Sequence, residues 1–222
     1  MKMSEIEGRR PLKVRSSIFS QNIAKWLSRK SITPNQISVF SVVFALLAAS
    51  CLFLLPYVDG INLWLMPIVA AVFIQCRLLC NLFDGMVAVE GGKSTASGEL
   101  FNDIPDRIAD PLILVAAGYA TTAVDWSTSL GWAAGLLAVL TAYIRTLSVS
   151  IGAPANFGGP MAKQHRMALL TVACVITAME PLLWMPGLVI PIALVIVIIG
   201  CVFTVFNRTL AAYTYLEKKD DV

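Results

Sequence analysis

Charge is what this sequence has least of. Asp, Glu, Lys and Arg make up only 14% of its 222 residues, against about 25% in a soluble domain, while 57% are hydrophobic and the mean hydropathy is +0.75. That balance excludes an ordinary soluble globule and points to one compact membrane-embedded bundle with no room for a second domain. The five cysteines (51, 76, 80, 174 and 201) sit in or beside apolar runs and form no CxxC, so a disulfide framework or a thiolate metal site has no support. No cleavable leader is visible: the first 33 residues hold eight Lys or Arg and no clean apolar run. No second copy of an acidic pattern recurs in residues 129 to 210, which counts against a repeat-built transporter. Nothing suggests a nucleic-acid partner.

Long apolar runs are abundant. Six segments approach the roughly 20 residues that cross a bilayer, at 34–56, 62–83, 101–124, 129–151, 167–184 and 187–206, although only the second half of the third is apolar. Thr33 and Pro34 form a helix-start signature before the first. Upstream, "SSIFSQNIAKWLSRK" puts Ile18, Phe19, Ile23, Trp26 and Leu27 on one face beside Lys25, Arg29 and Lys30, as in a helix lying in the membrane interface. The expected architecture is all-α: an N-terminal cytoplasmic segment (1–33) with that interfacial amphipathic helix, a six-transmembrane-helix bundle (34–210) and a cytoplasmic tail (211–222). Connections near 57–61, 122–128 and 180–187 contain no Lys or Arg, so both termini and the loops near 85–100 and 152–166 should face the cytoplasm. Four of the five tryptophans, 64, 126, 132 and 184, fall near the other surface.

The scarce charge is concentrated in one place. "NLFDGMVAVEGGKSTASGELFNDIPDRIADPLILV" (81–115) carries Asp84, Glu90, Glu99, Asp103, Asp106 and Asp110. Asn81, Asp84 and Gly85 share a face of the second span, and Gly98, Asn102, Asp106 and Asp110 recur every fourth residue along the third. A short intervening loop should set these helices side by side, so that both faces line one cytoplasm-facing cleft. Oxygen ligands of this kind suit Mg²⁺ or Mn²⁺, which share their shell with substrate phosphate. The blander alternative is a solvated loop whose carboxylates pair with Arg107 and Lys93.

This stretch resembles the signature of the CDP-alcohol phosphotransferase family, D-x-x-D-G-x-x-A-R, eight residues, then G-x-x-x-D-x-x-x-D. Here the frame reads Asn81, Asp84, Gly85, Ala88, Val89, then Gly98, Asn102 and Asp106, with every spacing kept. "ITPNQIS" (32–38) and "GGPMAKQHR" (158–166) look like flanking parts of the same family, and the resemblance covers roughly residues 20 to 210. It implies transfer of a phosphatidyl group from a CDP-linked lipid to a small alcohol, with two metal ions held in the family by four Asp, at the positions of Asn81, Asp84, Asn102 and Asp106 here, and Asp106 as the base. Gly85, Ala88 and Gly98 would admit the nucleotide. It also implies a homodimer among membrane lipids, in a bacterial inner membrane.

Three departures stand out: Asn replaces the first and third Asp, and Val89 replaces Arg. Weaker metal binding, a shift to one tight ion, or help from Asp110, Asp103 or Glu99 is expected, with Asp110 the best-placed helper. A relative that has lost chemistry and acts as a lipid-binding or assembly partner is the alternative. Arg145, inside its span, reads as a phosphate or acceptor contact. Lys163 and Arg166 read equally as phosphate grips or as positive-inside anchors. His165 reads as solvated, and snorkelling accounts for Arg77 and Arg208.

Overall fold

A computed structural model describes residues 17–30, 32–90, 97–183 and 187–220. Among them are seven α-helices and no strand: α1 (Ile18–Arg29), α2 (Pro34–Leu54), α3 (Asn62–Glu90), α4 (Gly98–Gly118), α5 (Ser127–Ser150), α6 (Lys163–Leu183) and α7 (Val189–Asp220). Lys93 and Trp184 lie outside the described residues, as do the side chains of Phe19, Glu90 and Glu99.

Local chemistry sets the start of α2 as expected. Thr33 Oγ1 accepts from the Gln36 amide at 3.2 Å, Gln36 Oε1 accepts from the Thr33 amide at 3.0 Å, and Pro34 occupies the first turn. The start of α7 is capped from a distance: buried Glu180 on α6 accepts from the amides of Gly187 (3.1 Å) and Val189 (2.9 Å).

Five helices are long and apolar enough to cross a membrane: α2 with its 3₁₀ extension through Tyr57, α3, α5, α6 and α7. Helix α4 falls outside that set because its first half carries Asp103, Asp106, Arg107 and Asp110. It is nonetheless part of the bundle wall. Helix α2 packs on α3 and α4, α4 on α5, α5 on α7, α7 on α6, and α6 back on α3, closing a ring of six. Inside are mainly small residues, among them Ala45, Ala48, Ala70, Ala109, Ala117, Ala134 and Cys201, interleaved with Leu52, Ile74, Ile113 and Leu194. Small side chains let helices approach closely where lipid offers no hydrophobic drive for association. One close approach is between α4 and α5, where a Cβ on Gly118 would lie 2.8 Å from Gly131 Cα. Large apolar side chains such as Phe40, Leu136, Phe203 and Phe206 point outward.

Several boundaries differ from expectation. Helices α3 and α4 are not side by side; they barely touch, because α2 packs against both, and they meet through long polar side chains across the interior. Helix α3 runs on to Glu90, so Asp84, Gly85 and Ala88 are helical. Helix α6 begins at Lys163, which brings Lys163, His165 and Arg166 into its first turn instead of a loop. Helix α4 stops at Gly118, and α7 continues unbroken through the expected tail as far as Asp220. In α1 the docking face is Ser20 and Ala24, with Ala24 packed among Ile37, Leu82, Met86 and Val87, while Ile18 and Trp26 stay exposed.

Candidate active site

Where α3, α4 and α6 face one another, two buried aspartates, Asp106 and Asp110, meet three basic side chains. Arg77 and Asn81, one turn apart on α3, both reach α4. Arg77 Nη2 donates to Asp106 Oδ1 at 3.0 Å and lies 2.6 Å from Asp110 Oδ1. Asn81 Nδ2 donates to the same Asp106 oxygen at 3.0 Å, and Lys163 Nζ donates to Asp106 Oδ2. Arg166 Nη2 donates to Asp110 Oδ2 at 2.7 Å, and its Nη1 reaches Met161 O at 2.9 Å and Thr141 Oγ1 at 3.2 Å. Charges this deep persist only when paired or put to use.

Asp84 is treated differently. It is as buried as Asp110, but its oxygens accept from the Ser38 hydroxyl of α2 at 2.7 Å and from the Gly85 amide. It forms no ion pair among the described residues.

The loop before α6 is pinned against α7. Gly159 has φ +118°, and a Cβ there would meet Thr204 Cγ2 at 2.6 Å. Thr204 Oγ1 accepts from the Met161 amide at 3.0 Å, and Arg208 donates to Gly158 O (2.9 Å) and Thr141 O (2.6 Å). His165 stays exposed, its Nδ1 2.9 Å from Pro160 O.

The structure therefore gathers Asn81, Asp84, Asp106, Asp110, Lys163 and Arg166 at one end of the bundle. Gly85, Ala88 and Gly98 are half-buried at the same end, on the closing turns of α3 and the opening turn of α4. Asn102 is exposed and has no hydrogen bond among the described residues. Arg145 stands apart: its Nη2 donates to both oxygens of half-exposed Asp103 (3.1 and 2.9 Å), which also pairs with Arg107 at 3.0 Å, and its Cζ lies 5.2 Å from the Phe157 ring centroid. Asp103 thus serves a separate cluster and does not supplement the buried aspartates.

Two basic residues were misjudged from sequence. Arg77 does not snorkel; its side chain is 0% exposed. Arg208 is buried too and fastens the loop to α5 and α7. The signal for Arg77 was its spacing of four and seven from Asn81 and Asp84, which puts it on the motif face. Ser38 had no comparable signal.

Among the described residues no three Asp, Glu, His or Cys side chains converge as a ready-made metal cage. One divalent ion still fits the donor set. Mg²⁺ typically binds through one or two carboxylates and completes its shell with water and substrate phosphate. Asp84 offers a buried carboxylate with no ion-pair partner among the described residues, and Asn81 lies one turn away on the same face.

A membrane-compatible helical bundle with an interior cluster of carboxylates and cations defines a polytopic helical protein with a polar site at one end. The family model for CDP-alcohol phosphatidyltransferase matches residues 31–206, and the chain belongs to that family. No curated protein matches it in sequence. Its fold is similar to crystal structures of phosphatidylinositol phosphate synthase from Mycobacterium tuberculosis. The form with CDP-DAG bound aligns at TM-score 0.71 and 18% identity, covering 89% of this chain and 95% of that one. The form with manganese and citrate aligns at 0.69 and 16%, covering 88% and 89%, and the apo form at 0.64 and 19%, covering 87% and 95%.

Proposed function

We propose that this chain transfers a phosphatidyl group from a CDP-linked lipid, CDP-diacylglycerol, to a small alcohol and releases CMP. The observation that supports it best is the presence of two buried carboxylates at one end of the bundle, Asp106 and an Asp84 with no ion-pair partner among the described residues, in the family's motif frame. The fold it shares with a synthase crystallised with CDP-DAG is consistent with that donor.

The alcohol oxygen attacks the β-phosphorus, forming a new P–O bond as the P–O bond to CMP breaks. A divalent ion, Mg²⁺ or Mn²⁺, supplies charge neutralisation of the diphosphate. Asp84, with Asn81 beside it, would hold that ion. Lys163, 26% exposed, is free to leave Asp106 for an incoming phosphate, which opens Asp106 Oδ2 to take the proton of the alcohol. Gly85, Ala88 and Gly98 leave room for the nucleotide. Arg145 and Arg107, held by Asp103, would meet an anionic acceptor. Arg166, almost fully buried on Asp110, fixes α6 to α4 instead of gripping substrate.

In this reading α4 is the sixth crossing, its charges turned toward the cleft, and α1 lies in the interface with Ile18 and Trp26 toward lipid. Both termini and the site face the cytoplasm of a bacterial inner membrane, and the chain acts as a homodimer.

The test is CMP release by purified protein in mixed micelles with CDP-diacylglycerol, Mg²⁺ or Mn²⁺ and a pool of small alcohols. Release that stops with chelator, returns with Mn²⁺ and is lost in Asp106→Asn supports the transfer. No release with either metal, with CDP-diacylglycerol bound, sinks it. A second reading, a non-catalytic relative that binds lipid or a partner, draws on the occupation of both Asp106 oxygens by Arg77, Asn81 and Lys163, and that negative result would favour it.

A further inference from the structure

Arg77 is a guanidinium with 0% side-chain exposure, lodged between carboxylates on successive turns of α4. Only its Nη2 is engaged. Nε and Nη1 have no hydrogen-bond partner among the described residues, and neither has Arg166 Nε. Good hydrogen bonding does not account for a side chain left so unsatisfied; the positive charge delivered to Asp106 and Asp110 does. A fixed positive charge shared by two carboxylates takes over part of the electrostatic role of a metal ion at that point.

The charges agree in number. Asp84, Asp106 and Asp110 share this end of the bundle with Arg77, Lys163 and Arg166, which all pair with Asp106 or Asp110 and none with Asp84. A single divalent ion would be matched in turn by the doubly charged diphosphate of the donor. A second ion at Asp106 would lie beside a buried guanidinium and an ammonium, with little water to screen the repulsion. The neutral amides of Asn81 and Asn102 add nothing to offset it.

We infer that Arg77 stands in for a second divalent ion, so that each chain holds one Mg²⁺ or Mn²⁺, at Asp84. The inference rests on the transfer reading for its substrate but is tested without turnover. The measurement is bound Mn²⁺ per chain, from loss of the free-ion electron paramagnetic resonance signal, on full-length protein in micelles with CDP-diacylglycerol. The natural chain should bind one ion. Arg77→Gln should bind a second, and Arg77→Lys, which keeps the charge, should stay at one. A gained ion is not something misfolding produces. Two ions on the natural chain, none, or an unchanged count in folded Arg77→Gln would each overturn the inference. Two ions alongside CMP release would remove it and leave the transfer standing; one ion without CMP release would do the reverse.

Discussion

Asp84 and Asp106 sit on facing helices at the same end of the bundle and are similarly buried, 3% and 8% exposed, yet their surroundings differ in kind. Asp106 and its neighbour Asp110 are neutralised by side chains from α3 and α6. Asp84 is held by a hydroxyl and a backbone amide, which orient a carboxylate without cancelling its charge. One environment keeps negative charge available and the other spends it on joining three helices. In the proposed function these two aspartates of one motif divide metal binding from proton handling.

The strongest way to break that comparison is to neutralise each in turn. Asp106→Asn should cut CMP release by about a thousandfold, the scale of a lost general base, while Mn²⁺ binding persists. Asp84→Asn should abolish Mn²⁺ binding as well. Equal loss of Mn²⁺ in both variants would erase the distinction. Next comes Arg166→Met, which strands Asp110 without its α6 partner. Breaking a buried pair costs about 3–5 kcal/mol, so thermal unfolding in detergent should fall well below that of the natural chain. If the midpoint is unchanged, the Asp110 side of the comparison is not structural.

Ser38→Ala sharpens the other side. Removing a hydrogen bond that orients a metal ligand typically lowers affinity about 10–100-fold, so Mn²⁺ titration should show a weaker site, and Ser38→Thr should restore it. The smallest effect belongs to Asp103→Asn. Its pairs with Arg107 and Arg145 are half-exposed, worth within about 1 kcal/mol, so the unfolding midpoint should barely move. A large drop would mean that the outer cluster also carries the fold.

Much of this was legible in the chain. Apolar runs located the helices because a bilayer demands about 20 such residues per crossing, and Thr33 and Pro34 marked the start of α2 because capping chemistry is local. The spacing of Asn81, Asp84, Asp106 and Asp110 put them on faces that converge, since helical periodicity follows from the backbone alone, but the same spacing included Asn102, which is exposed. Side-by-side placement of α3 and α4 was misjudged for a different reason. A short loop limits how far apart two helices can be but does not forbid a third from packing against both.

The amino-acid sequence by itself determined the helical, membrane-compatible class of this protein, its family frame and the faces that carry charge, because hydropathy and period are properties of neighbouring residues. Only the tertiary structure decided which cation meets which carboxylate. Arg77 looked like a side chain reaching for the interface until α4 was placed opposite it, and Arg166 equally like a phosphate grip or a positive-inside anchor until α6 brought it to Asp110. Those pairings join residues 29 to 56 positions apart, and ion pairing depends on distance and burial, neither of which linear spacing carries across such a gap.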